Sequence, residues 1–222
     1  MTSDMTDMMF VFSNWGGSLD WLQHGVCSGG CDASATFSSF SDFKVFTGGN
    51  TPPSPTPDPD PTPNPDPEPA PAPTPSGQFP ALKVDVDGQI QDLYVVHPEW
   101  SDATTNESNL SYDYNNRMYL STVDAVDPTS YFRANLLGGG VSFDIDLSRV
   151  GCNCLTALYT VLMPAVDNMS DPFKYCDANQ VGGHWCPEFD MMEANKWAFR
   201  ATGHKCDNPD SNGKYHNCDR SG

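Results

Sequence analysis

Short bursts of apolar side chains spaced two apart, with polar ones between them, recur along this chain. Residues 8–15 (MMFVFSNW) and 36–46 (TFSSFSDFKVF) keep the period of a strand with one buried face. Arg117 to Thr122 (RMYLST), Val141 to Leu147 (VSFDIDL) and Ala157 to Met163 (ALYTVLM) are also short, β-branched or aromatic, and bounded by Gly, Asp, Asn or Pro. In VSFDIDL the residues Val141, Phe143, Ile145 and Leu147 face one way, and Ser142, Asp144 and Asp146 the other. No 3.6-residue stripe longer than about two turns is present. The best helical candidate, Met191 to Ala201, is equally a strand with a bend. The pattern predicts an all-β sandwich.

Composition divides the chain. From Thr51 to Pro75, 13 of 25 residues are proline, nearly all alternating with Thr, Ser, Asp, Asn, Glu or Ala. Such repeats lack ladder donors and settle into polyproline II at about 3.1 Å per residue, so the tract can span roughly 75 to 80 Å. The rest of the chain, folded into one body, has a radius of gyration of about 16 Å. A strap longer than the body suits separate modules better than two ends of one sandwich, so two modules are expected. The boundaries read as 1–50, a linker at 51–77, and 78–222.

Charge and cysteine usage narrow the function. With 29 acidic against 11 basic residues and a net charge of -18, the chain has no surface for nucleic acid or an anionic membrane. No apolar run approaches the roughly 20 residues of a spanning helix. The opening MTSDMTDMMFVF carries acids where a secretory signal carries bases, which reads as a mature chain or a fragment. Eight cysteines and three Asn-x-Ser sequons, at Asn106, Asn109 and Asn168, suit an oxidising, extracellular setting with up to four disulfides and N- or O-linked glycans. The rival, a reduced zinc protein, lacks support. CNC (Cys152, Cys154) and CSGGC (Cys27, Cys31) have no repeated CxxC or companion histidine pair.

One segment carries candidate chemistry. CPEFDMMEAN, residues 186–195, places Glu188, Asp190 and Glu193 in an otherwise apolar stretch. On a regular strand Glu188 and Asp190 share a face and Glu193 points away, unless a bulge restores it. With a bulge, two carboxyls can stand the roughly 5 to 5.5 Å apart that a retaining glycosidase uses, one attacking the anomeric carbon and the other protonating the leaving oxygen. Asp190 is then expected to hydrogen-bond Glu188 and hold it in its attacking rotamer, while crowding of like charge raises the pKa of the acid. The plain alternative is a solvated acidic edge.

These residues resemble the Glu-x-Asp-x-x-Glu signature of glycoside hydrolase family 7, the cellobiohydrolases and endoglucanases. NNRMYL, LLGGGVSFDIDLSRVGCNCLTALYTVLMP, YCDANQVGGHWCPEFDMMEAN, GHKC and NGKYHNCD are similar to that family in its own order. MMFVFSNWGGSLDWLQHGVCSGGC and ATFSSFSDFKVFTG resemble strands that come last in its catalytic domain. The resemblance implies a concanavalin-like jelly-roll β-sandwich, partial or permuted. It implies Glu188 as nucleophile, Asp190 as assisting aspartate and Glu193 as acid/base, acting on β-1,4-glucan without a cofactor or metal. It also places Tyr159 and His204 beside the carboxylates and Trp15 and Trp21 along a sugar-binding cleft. Taken alone, a strand tryptophan reads first as core and a histidine near a cysteine as surface. The implied disulfides are Cys176 with Cys186, Cys206 with Cys218, and Cys152 or Cys154 with Cys27 or Cys31.

Two departures matter. The order is rotated about the linker, and the family's middle part has no counterpart here. Three arrangements fit: a window cut across tandem modules, a permuted minimal sandwich, or a subunit whose first 50 residues complete a neighbour by strand addition. The rival function is a structural glycoprotein or fibril subunit of cellulase ancestry, joined by glycosylated proline-rich rods. A lectin-like sandwich that binds glucan without turnover is a third.

Overall fold

The structure is a computed structural model that describes residues 7–23, 27, 29–48, 77–165 and 169–218. The proline-rich tract and the Asn168 sequon lie outside the described residues. Before the tract come β1 (Met8–Gly16), the short helix α1 (Asp20–Gln23) and β2 (Phe37–Phe46). After it come β3 (Ala81–Val86), β4 (Gln89–Val96), β5 (Thr104–Asn106), β6 (Asn109–Asp113), β7 (Asn116–Ser121), β8 (Arg133–Ala134), β9 (Gly140–Asp146), β10 (Cys154–Val161), β11 (Glu188–Asn195) and β12 (Ala198–His204).

Hydrogen bonding runs in the order β12-β11-β10-β1-β7-β4-β3-β2-β6-β5, with β8 on β1 and β9 on β2. The path folds over into two facing layers. Phe10, Phe12, Met118, Leu158, Met192 and Ala194 of the first layer meet Phe40, Phe43, Leu82, Val84, Leu110 and Tyr112 of the second in one buried core. Phe12 and Phe40 cross the gap edge to face at 5.1 Å, and Phe10 and Phe43 at 5.6 Å. These side chains alternate with neighbours on the opposite face, as the sequence period requires. The pattern read in residues 141–147 holds: Val141, Phe143, Ile145 and Leu147 pack on the core while Ser142, Asp144 and Asp146 are exposed.

The expectation of two separate modules is corrected by strand pairing across the tract. β1 lies at the centre of the first layer, antiparallel to β10 on one side and to β7 and β8 on the other. β2 pairs with β3, β6 and β9. Every β1 side chain from Met8 to Asn14 is buried, so removing this segment would open both faces of the sheet. The sandwich is therefore one body built of strands from both sides of the tract. Linker length was a poor guide, because the pairing surfaces decide the topology.

Four disulfides lock this arrangement: Cys27–Cys152, Cys31–Cys154, Cys176–Cys186 and Cys206–Cys218. The first two cross the tract and tie the turn after β1 to the start of β10. Gly16 stands opposite Cys154, and an added Cβ would come within 2.6 Å of the Cys31 Cβ, so only glycine fits at this crossing. The four bridges fit an oxidising compartment. No helix among the described residues is long and apolar enough to cross a membrane. Asn106 and Asn109 are exposed and face each other across the β5–β6 hairpin.

Candidate active site

β11 carries the three acids between β10 and β12. Against β10, Met192 pairs with Leu158 and Asp190 with Tyr159. Against β12, Asp190 pairs with Thr202 and Glu193 with Arg200. Met191 is thus an extra residue, a β-bulge read by both neighbouring strands. If Met191 instead kept regular register, Glu193, five positions from Glu188, would fall on the face opposite Glu188 and Asp190. With the bulge, Met192 and Ala194 enter the core while Glu188, Asp190 and Glu193 line one cleft.

That cleft, about 770 Å³, runs over the outer face of β1, β7, β10, β11 and β12. Every residue singled out in the sequence lines it: Glu188, Asp190, Glu193, Tyr159, His204, Trp15 and Trp21. Trp15 is 40 % exposed, so it is a wall of the cleft and not core. Among the further lining residues that sequence reasoning missed are the aromatic and charged Trp100, Arg117, Tyr175, Asp177 and Arg200. Arg117 sits at a polar position of the strand read from RMYLST, and Tyr175 and Asp177 flank Cys176. Those signals were visible. Trp100 comes from an irregular connection between β4 and β5 with no periodic signal.

Each carboxylate has its own holder. Glu188, 9 % exposed, accepts a hydrogen bond from the Ala178 amide at 2.8 Å. The loop that supplies this amide is tied to the root of β11 by the Cys176–Cys186 disulfide. Asp190 Oδ2 lies 2.8 Å from His204 Nε2, both side chains being less than a tenth exposed. The expected Asp190–Glu188 hydrogen bond is replaced by these two separate ones: His204 stands opposite Glu188 in the β11–β12 register but reaches diagonally to Asp190, while Glu188 turns to the Ala178 amide. Burial pushes the Glu188 carboxyl well above its ordinary range, helped by the charges of Asp190 and Asp177 and opposed by the Ala178 amide. Burial, and then the charge of Asp190, push Glu193 up to about 7, against the pull of His204, Arg200 and the Thr202 hydroxyl.

Aromatic and cationic groups complete the walls. Tyr159 and Tyr175 share a 2.8 Å hydroxyl contact, and Tyr175 donates to Asp177 Oδ2 at 2.8 Å. The Arg117 guanidinium stacks 3.6 Å from the Tyr175 ring centre and 5.5 Å from that of Trp100. Arg200 lies 5.7 Å from the Trp21 ring centre and its Nη1 donates to the Trp21 carbonyl. Trp100, 54 % exposed, and Trp15 present flat apolar faces, the surface that stacks on the apolar face of a pyranose. Among the described residues no three His, Cys, Asp or Glu side chains are grouped to hold a metal ion. No family model matches the chain, and no solved structure matches it.

Proposed function

We propose that the protein is a β-1,4-glucan hydrolase of the family 7 type that acts with retention. The observation that carries this reading is the Met191 bulge, which turns Glu188 and Glu193 to the same side of a tryptophan-walled cleft. A solvated acidic edge has no use for such a device.

In this reading Glu188 attacks the anomeric carbon as the carboxylate, its charge supported by the Ala178 amide against the burial that disfavours it, while Glu193, in its acid form, protonates the departing oxygen. Water then attacks the glycosyl-enzyme from the same side, with Glu193 now taking its proton. A carboxyl titrating near neutrality serves both half-reactions. The Ala178 amide holds Glu188 in position, and the Asp190–His204 pair fixes the strand beside it. Trp15, Trp21 and Trp100 line the same cleft as the acids and supply stacking faces for a chain of glucose units. The four disulfides fit secretion to where an insoluble polysaccharide is met. The acidic surface suits a neutral glucan and excludes no part of it.

The test is hydrolysis of a soluble cello-oligosaccharide by the intact protein and by Glu188→Gln. Turnover by the former and its loss in the latter are expected. Equal turnover by both would discard the mechanism, and no turnover by either would leave the scaffold reading, which negative-stain microscopy would display as periodic filaments.

A further inference from the structure

The cleft holds a fourth carboxyl that the mechanism above does not use. Asp177 is 5 % exposed, and its two oxygens have different partners. Oδ1 accepts from the Val181 amide at 2.9 Å, and Oδ2 accepts from the Tyr175 hydroxyl at 2.8 Å. Tyr175 in turn lies 2.8 Å from the Tyr159 hydroxyl. A phenol has one proton to give. Once Tyr175 gives its proton to Asp177, the Tyr175–Tyr159 contact is a hydrogen bond only if Tyr159 donates. The order of protons along the chain is therefore set from its carboxylate end.

We infer that Asp177 and Tyr175 are positioning residues that turn the Tyr159 hydroxyl proton away from the cleft, so that its oxygen meets the sugar as an acceptor only. This rests on the glycosidase reading and deepens it. Tyr159 stands opposite Asp190 in the β10–β11 register and lines the cleft beside Glu188. A lone pair fixed there accepts from a hydroxyl of the sugar bound against Glu188. It also sets partial negative charge beside the anomeric centre as that centre becomes oxocarbenium-like, without reorganising during the reaction. Arg117, its guanidinium 3.6 Å over the Tyr175 ring centre, packs against that ring and steadies it.

The chain can be reversed by one atom. In Asp177→Asn the side-chain oxygen stays with the Val181 amide, which needs an acceptor, and the new amide nitrogen faces Tyr175. Tyr175 must then accept from Asn and donate to Tyr159, whose own proton swings into the cleft. Tyr175→Phe reaches the same end by removing the acceptor that Tyr159 uses. Two measurements on the full chain decide the matter. Steady-state kinetics on cello-oligosaccharides should show kcat lowered by about ten- to a hundred-fold in both variants, with KM changed far less, as for loss of a preorganised dipole. The tyrosine Fermi doublet in ultraviolet resonance Raman, read as the difference from Tyr159→Phe, should report Tyr159 as a donor in the parent protein, and a changed state in Asp177→Asn. An unchanged doublet and unchanged kcat in folded, disulfide-intact Asp177→Asn and Tyr175→Phe would overturn the inference. If the parent protein turns over no glucan, the glycosidase reading fails by itself, and the Raman comparison still decides the order of protons.

Discussion

Asp190 and His204 meet across β11 and β12 at 2.8 Å, one residue before Met191 interrupts the register between those strands. The pair pins the last regular step of the ladder, so the extra residue is accommodated after Asp190 and not before it. Because the extra residue follows Asp190, Asp190 keeps the face of Glu188 and Glu193 is turned to that face as well.

Deleting Met191 separates facing from spacing. The shortened strand would alternate regularly, with Met192 still in the core and Glu193 still toward the cleft, but with Glu193 one residue nearer Glu188, about 3.3 Å along the strand. The fold should survive, with near-parental far-ultraviolet circular dichroism. Turnover should fall by at least about a hundred-fold, since displacements of an ångström cost that much. Full activity in the deletion variant would show that the bulge serves no catalytic spacing.

Glu193 makes the protein sensitive to pH in a defined direction. Its folded pKa of about 7 lies above the ordinary 4.5, so the folded state holds the proton more tightly than the unfolded one. Between pH 4.5 and 7 the unfolded chain releases this proton and the folded one keeps it, so stability falls as pH rises through that window, by on the order of 3 kcal/mol in all. Glu193→Gln removes the penalty. Thermal melts should show the variant more stable than the parent at pH 8, by about 5 °C or more, and equal to it at pH 4. In the parent, kcat/KM should decline above about pH 7 as the proton donor is lost. A melt in which Glu193→Gln is no better at pH 8 would contradict the burial of that carboxyl.

Much of this was legible in the sequence, for reasons that can be located. β1, β2, β7, β9 and β10 follow runs whose buried and exposed positions alternate, or whose apolar content is continuous because both faces are covered, as in β10. The acid trio was legible because three carboxylates in an apolar run must serve some purpose. The β3–β4 hairpin escaped notice although Asp87 and Gly88 form a turn with both φ positive, at 52° and 83°. The reason is that Gln89 to Asp92 are all exposed and show no alternation. Trp100 and Arg200 reach the cleft through tertiary placement, which no local period encodes. The topology across the linker was misjudged because chain length limits only what can be joined. The continuous burial of β1, which calls for neighbours on both sides, was the better signal.

A single body joined across the tract predicts how the chain behaves when cut. With a specific protease site placed within residues 55–70, cleavage should leave one particle on size-exclusion chromatography. The two pieces should co-migrate on a denaturing gel and part only after reduction, because Cys27–Cys152 and Cys31–Cys154 join them. Pieces that separate without reductant would disprove the crossing disulfides.

Trp100 offers a test of the cleft away from the chemistry. Trp100→Ala removes a stacking face without touching the carboxylates, so KM for a long cello-oligosaccharide should rise about ten-fold while kcat changes little. The shortest substrates should be less affected. A loss confined to kcat would place Trp100 in the chemistry, against its position here.

The most direct examination of the central claim is to trap the covalent intermediate. Incubation of the intact protein with an activated 2-deoxy-2-fluoro-cellobioside, followed by peptide mass spectrometry, should find the sugar attached to the Glu188 carboxyl, with Glu193 unlabelled. A label on Glu193 or on another residue, or release of the activating group with no label on the protein, would contradict the account.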